Sequence, residues 1–314
     1  MTEFAKILRQ AELEGALQTD PRRAQDNRDA QNAVPAAASL ESTDFPAPRS
    51  TPRGSVPQPT EEASKSPGGV EGHLVSLLDP TSVTAEPYRM VRQLLEQLHS
   101  TRGLSIVAVS SAMVGEGKTT ASINLAGALS QASDARVLLV DADLRNPSIT
   151  RHLAMGEGDH RGLGDAIVDP NLGLDDVVSP RPPFNLDVLP AGAVGAAPYE
   201  VLKSPRLGDL LNQARSRYDF VILDTAPLIA VPDPRLIGKW VDGFLVVVAA
   251  HKTPRKLVEE TLNLMEPAKL ITILFNGDDE ALSGYFYPKT RNGGSRRHRA
   301  QWLGSLWRRE TGHV

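Results

Sequence analysis

The 314-residue chain contains no cysteine. Disulfides and thiolate metal centres are therefore excluded, and that absence fits a reducing compartment. No apolar run reaches the ~18 residues that a membrane-spanning helix needs. Glu3 and Lys6 interrupt the first residues, so the N-terminus lacks the apolar centre of a secretory signal. The formal net charge is only −4, too small an imbalance to point to nucleic acid as a partner. These absences leave a soluble cytoplasmic protein as the expectation, with length for one large domain or two small ones.

What is present is a glycine-rich turn, Ala112-Met113-Val114-Gly115-Glu116-Gly117-Lys118-Thr119-Thr120. It follows an apolar run, Leu104 to Val109, and opens a helical pattern on Ile123, Ala126 and Leu129. Strand, glycine-rich turn, Lys-Thr and helix in that order make a P-loop, although Ala112 stands where the usual pattern begins with glycine. Gly115 and Gly117 let successive N–H groups turn inward onto phosphate oxygens, and the following helix adds its positive end. Val114 to Thr120 are thus expected to cradle a nucleotide, with Lys118 on its outer phosphates and the Thr119 hydroxyl on Mg²⁺.

Around this turn the chain divides into three parts. Residues 1–72 form the first. A short amphipathic pattern on Phe4, Ile7, Leu8, Ala11 and Leu17 fits either a frayed terminal helix or a docking segment. A stretch from Asp20 to Gly72 follows, with eight prolines between Pro21 and Pro67 and few large apolar side chains. Such a segment buries too little surface to offset its ordering entropy and is expected to be a disordered tether.

Residues 73–280 form the second part. Leu74 to Leu78 reads as extended or irregular, and a helix is predicted from Thr84 to about Leu98. On it Glu86, Arg89 and Arg92 recur at three-residue spacing, which places them on one face. Taken alone, that spacing also describes a solvated charged face. Further apolar runs predict strands at Arg136–Val140, Asn185–Leu189, Asp219–Leu223, Gly243–Val248 and Leu270–Leu274, with helical patterns between them that include Lys256 to Met265. The expected fold is therefore α/β, with a doubly wound, mostly parallel sheet.

Two of these strands end in carboxylates. Asp141 and Asp143 follow the second, and Asp224 ends the Asp219–Leu223 run. Ligands of open α/β sheets bind outside the carboxyl ends of the strands, so these groups are expected to meet the P-loop. Asp224 occupies the Walker-B position, which holds a metal directly or through its water. A phosphate cradle, a paired Asp and a single Asp at three strand ends make a complete phosphoryl-transfer site. The His-Arg-Asp and Asp-Phe-Gly loops of the eukaryotic protein kinases do not occur.

The third part is residues 281–314. Beyond Ala281 seven Lys or Arg face a single acidic residue, Glu310. Arg296 to Arg309, with Trp302, Leu303, Leu306 and Trp307, fits either an interfacial membrane helix or a basic helix packed on its own domain, where Gly304 weakens the helix.

From about Leu74 to Gly277 the chain resembles the bacterial tyrosine autokinases of capsule and exopolysaccharide systems, P-loop enzymes of the Min/Par-like (deviant Walker) group. Gly115-Glu116-Gly117-Lys118-Thr119 resembles their Walker A. Asp141-Ala142-Asp143-Leu144-Arg145-Asn146-Pro147-Ser148 resembles their Walker A′, and Asp224-Thr225-Ala226-Pro227 their Walker B. Leu189-Pro190-Ala191-Gly192 and Ser204-Pro205-Arg206-Leu207 are similar to family segments as well. Glu86, Arg89 and Arg92 match the family's Glu-x-x-Arg-x-x-Arg element.

The resemblance implies ATP and Mg²⁺ as cofactors and autophosphorylation on tyrosine as the activity. By it Lys118 and Thr119 hold phosphates and Mg²⁺, Asp141 and Asp224 complete the metal's surroundings, and Asp143 accepts the tyrosine hydroxyl proton. Asn276 stands where related ATPases contact adenine; in Asn276-Gly277 it reads equally as a strand-ending turn residue. Glu86, Arg89 and Arg92 become an interface for ring-like self-assembly. A separate membrane activator of the chain-length-determinant type is implied, which would recruit the kinase to the inner face of the cell membrane.

Family members usually end in a dense tyrosine cluster, whereas only Tyr285 and Tyr287 lie in this tail, so these are the expected acceptors. Two other readings share the same site. A Min/Par-type positioning ATPase would switch between monomer and dimer without phosphorylating protein; where those proteins carry a second P-loop lysine, this chain has Met113. An ATP-binding scaffold of the export complex would need no acceptor tyrosines.

Overall fold

Strand-forming runs of Val, Ile and Leu set the centre of the structure. The computed structural model describes residues 69–156, 160–193 and 197–277. The strands are β1 (Ile106–Ser111), β2 (Val137–Asp141), β3 (Ser179–Pro180), β4 (Asp187–Leu189), β5 (Phe220–Asp224), β6 (Gly243–Ala249) and β7 (Leu270–Asn276). They form one sheet in the order β3-β4-β2-β5-β1-β6-β7, parallel except for the short β3. The six predicted strands are all present, each within two residues of its expected ends; β3, two residues long, was too short to leave a pattern.

Alternation along the strands shows why helices cover both faces. Ile106 and Ala108 of β1 join one apolar cluster with Leu138, Val140, Val221 and Leu223, whereas Val107 and Val109 join a second with Leu139 and Ile222. Strands buried on both sides are the mark of a parallel sheet with crossover helices. The helices, in chain order, are α1 (Val75–Leu78), α2 (Glu86–Arg102), α3 (Lys118–Leu129), α4 (Ile149–His152), α5 (Leu163–Val168), α6 (Pro198–Lys203), α7 (Arg206–Arg217), α8 (Asp233–Ile237) and α9 (Arg255–Asn263). Helix α3 packs below the second cluster and is covered by α1 and α2. That double cover accounts for its being apolar nearly all round, since ten of its residues are buried. Helix α2 ends at Gly103, whose left-handed backbone (φ 68°) stops it.

Leu74 to Leu78 corrects one expectation. The segment is neither extended nor irregular but carries the single turn α1. The turn is held from outside: Asn124 of α3 accepts the Ser76 N–H at 2.9 Å, and its amide donates to the carbonyls of His73 and Thr120. Leu74 and Leu77 are buried in the second cluster. Val70, placed in the tether by composition, is buried there too. The expected helix of residues 1–18, the rest of the proline-rich stretch, Tyr285, Tyr287 and the Arg296–Arg309 segment lie outside the described residues.

Candidate active site

Register brings the predicted groups together. Asp141 of β2 is the direct neighbour of Asp224 on β5, and Val109 of β1 flanks Asp224 on the other side. All three positions lie at the carboxyl ends of central strands, with the P-loop leaving β1 above them. Gly115 and Gly117 hold the left-handed backbone that the turn requires (φ 83° and 86°). Val114 projects to solvent, 73% exposed.

Glu116 departs from the simple picture of a loop residue facing ligand. Its backbone belongs to the cradle, but its side chain is only 3% exposed and points back into the protein. One carboxylate oxygen accepts the Met113 N–H at 2.8 Å and the other accepts the hydroxyl of Thr253, beyond β6. Asn276, at the end of β7, donates its amide to the Glu116 carbonyl at 2.9 Å. A Cβ on Gly117 would stand 2.0 Å from that amide nitrogen. The loop is thus clamped from behind by β6 and β7, and Asn276 lies against its backbone.

Lys118, the first residue of α3, projects into the carboxylates. Its Nζ lies 2.8 Å from Asp143 and 3.8 Å from Asp224. Burial pushes its pKa down, but the charges of Asp224 and Asp143 outweigh that effect, and the net direction is upward. The Thr119 hydroxyl donates to Asp224 at 2.6 Å, and Ser122, one turn further along α3, donates to the other oxygen at 3.1 Å. Burial raises the Asp224 carboxyl, and Lys118 and Thr119 act in the opposite sense. Thr120 is half-buried, and its carbonyl accepts from Asn124.

Asp141 is held differently. One oxygen accepts the N–H groups of Ser148 and Ile149, at 2.9 and 3.0 Å, from the start of α4. The other oxygen is buried and unpartnered. Burial, and then the nearby Asp224, raises this carboxyl from 3.8 to about 7. Three carboxylates, one of them with an orphaned oxygen, and a threonine hydroxyl form an all-oxygen donor set, which suits a hard divalent cation such as Mg²⁺.

Sequence reasoning gave no role to four supports of this site. Ser122 donates directly to Asp224 and the Ser148 N–H directly to Asp141; Ser148 stood in the Walker A′ segment without a role of its own, and Ser122 was legible from its helical spacing after Lys118. Thr253 had no signal. Asp233, buried in α8, takes both arms of Arg145 at 2.6 and 3.1 Å and so ties the segment after Asp143 to the region beyond β5.

Glu86, Arg89 and Arg92 do share one face of α2, and the two arginines use it within the chain. Arg89 donates to Glu86 and to the carbonyls of Pro80 and Ser82, and Arg92 donates to Glu96 and to the Ala128 carbonyl at the end of α3. They line one groove with Pro80, Thr81 and Gln131.

Comparison with known proteins agrees with this fold. Residues 104–235 match the family described as AAA domain. Tyrosine-protein kinase YwqD of Bacillus subtilis is 31% identical over 210 residues, covering 66% of this chain and 87% of YwqD. The succinoglycan biosynthesis transport protein ExoP of Rhizobium meliloti is 31% identical over 207 residues; the match covers 64% of this chain but only 26% of ExoP. Among solved structures, the kinase domain of Escherichia coli tyrosine kinase ETK superimposes with a TM-score of 0.61 at 26% identity, over 72% of this chain and 84% of that domain.

Proposed function

The chain belongs to the bacterial tyrosine-protein kinases, and from that premise we propose that it is an ATP-dependent tyrosine autokinase of capsule or exopolysaccharide production, regulating polymerisation and export. The observation that carries the reading is the meeting of Lys118, Thr119, Asp141, Asp143 and Asp224 at three adjacent strand ends behind the P-loop.

In this reading the N–H groups of Val114 to Thr120 and the Lys118 ammonium bind the phosphates of ATP. Thr119, Asp141 and Asp224 hold Mg²⁺, which when bound neutralises phosphate charge. Asp143 accepts the proton of the attacking tyrosine hydroxyl as its oxygen takes the γ-phosphoryl group and ADP leaves. A group in that role needs hydrogen-bond reach of the acceptor; most of the acceleration comes from positioning and charge neutralisation. Asn276, whose amide meets the Glu116 carbonyl, is the proposed contact for the adenine. Met113, in place of a second P-loop lysine, weighs against a positioning ATPase.

Among the described residues no helix is long and apolar enough to cross a membrane. A separate membrane protein of the chain-length-determinant type is the proposed activator, with Glu86, Arg89 and Arg92 joining copies of the kinase and the basic tail touching the inner face of the membrane. Tyr285 and Tyr287 are the proposed acceptors.

The test is incubation of the full chain with Mg-ATP, with and without the activator's cytoplasmic segment, followed by mapping of phosphotyrosine by mass spectrometry. Phosphate on Tyr285 or Tyr287 is expected, and it should vanish in Lys118→Met. Asp143→Asn should still bind ATP yet leave no phosphotyrosine. An active Asp143→Asn would remove the base assignment; ATP binding without phosphotyrosine in the wild type would remove the kinase reading.

A further inference from the structure

Away from the carboxylates at the strand ends, a second cluster has a different donor chemistry. Glu71 and His73, just before α1, face His152, the last residue of α4. Glu71 Oε2 lies 2.6 Å from His152 Nδ1 and 3.3 Å from His73 Nε2. All three donor atoms fall within 4.8 Å of one another, and the two imidazoles stand edge to face at 5.4 Å.

We propose that Glu71, His73 and His152 form a site for a borderline divalent cation, with zinc as the representative. Zinc bonds of about 2.0–2.2 Å place neighbouring tetrahedral ligands roughly 3.3 Å apart. The Glu71–His73 separation already has that value, and the Glu71–His152 separation needs to open by only a fraction of an ångström. Two imidazoles and a carboxylate suit zinc or a neighbouring transition metal, whereas the all-oxygen set around Lys118 suits Mg²⁺. The two sites therefore sort their metals by ligand type.

The frame is in place without the ion. The Glu71 N–H donates to the His152 carbonyl at 3.3 Å, and the Leu74 N–H donates to the Glu71 carbonyl at 3.0 Å. Val70, Leu74 and Leu153 are buried beside these contacts, which fixes both segments. Access comes from the His73 side: its side chain is 47% exposed, against 14% for His152. Three protein ligands leave a fourth position for water.

The site would cross-link residues 81 apart in sequence. One end is the segment that leads in from residues 1–68. The other is α4, whose first residues grip Asp141. A bound ion would staple the lead-in to the element that orients a catalytic carboxylate, and a cation that binds only the folded chain adds to its stability. The site stands on its own geometry, so its failure would leave the kinase reading untouched.

The experiment is dialysis of the EDTA-stripped full chain against buffered zinc in excess Mg²⁺, with bound zinc measured by atomic emission. One tightly held zinc per chain is expected, together with a rise in melting temperature. Losing a group that merely hydrogen-bonds to a metal ligand already weakens metal sites by about 10–100-fold, so removal of a ligand itself in His73→Gln or His152→Gln should cost at least that factor and abolish the thermal shift. His73→Gln alters a half-exposed side chain and keeps the fold, which circular dichroism would verify. A wild-type chain that retains no zinc would overturn the proposal and leave a carboxylate shared by two imidazoles. Zinc retained equally by His73→Gln would also overturn it.

Discussion

Gly117 and Gly115 have nearly the same φ and different surroundings, so they provide an internally controlled perturbation. Alanine at either position must adopt a left-handed conformation (φ 86° and 83°), at a cost of roughly 1–2 kcal/mol. The loss of unfolded-state freedom offsets some of this, by about 0.4–1 kcal/mol, equally at both positions. A Cβ at residue 115 meets nothing within 4 Å. At residue 117 it meets Asn276 Nδ2 at 2.0 Å. That amide can swing away only by giving up its 2.9 Å hydrogen bond to the Glu116 carbonyl, worth about 0.5–1.5 kcal/mol. Gly117→Ala should therefore be less stable than Gly115→Ala by about 0.5–1.5 kcal/mol in equilibrium urea unfolding without nucleotide. In an Asn276→Ala background the difference should disappear, since the obstructing group is gone; a double-mutant cycle reads that coupling directly. Equal costs for the two alanine variants, or a Gly117→Ala cost that does not change without Asn276, would refute the idea that β7 clamps the P-loop.

Three further outcomes are expected. Asp141, raised from 3.8 to about 7, keeps its proton in the folded chain where the unfolded chain has lost it. Its contribution to stability is complete below the unfolded value and is lost as pH rises through about 7. In EDTA, Asp141→Asn should lack that slope and exceed wild type at pH 8 by at least about 1 kcal/mol, roughly one pKa unit; parallel stability–pH curves would contradict the assignment. Arg145→Ala leaves buried Asp233 without its two-armed partner and should lose about 1–3 kcal/mol in urea unfolding, with Arg145→Lys recovering only part because it cannot donate through a planar fork; two neutral variants would show the pair to be idle. Replacing Glu86, Arg89 and Arg92 together by Ala should dissolve any oligomer in sedimentation velocity, and it should also lower monomer stability, because Arg92 holds the Ala128 carbonyl; an unchanged sedimentation profile would leave these residues a purely internal role.

The strands were legible because they are buried on both faces, and uninterrupted runs such as Val137 to Val140 admit few other readings. The three strand-end aspartates followed from the same pattern, since residues at a strand's carboxyl end share the ligand edge of the sheet. Leu74 to Leu78 was misread because α1 has almost no signal of its own: four residues hold their turn through Asn124, 48 positions from Ser76. Glu116 shows a related blindness. A loop between glycines reads as ligand-facing, and only the tertiary fold brings Thr253 close enough to draw the side chain inward. The cluster of Glu71, His73 and His152 was invisible for the same reason, because nothing in the spacing of residues 71, 73 and 152 places them together.

The 2.8 Å pair between Lys118 and Asp143 gives the proposed reaction an interlock. In the proposed mechanism these two groups are the cation that attracts phosphate and the carboxylate that takes the proton, so the pair must part before either can act. If phosphate draws the lysine away, the same movement uncovers the base. On that reading, readiness for proton transfer follows cargo arrival. Nucleotide affinity measured on this chain accordingly includes the cost of opening that pair. A variant that cannot form the pair can bind nucleotide more tightly and still be the poorer catalyst.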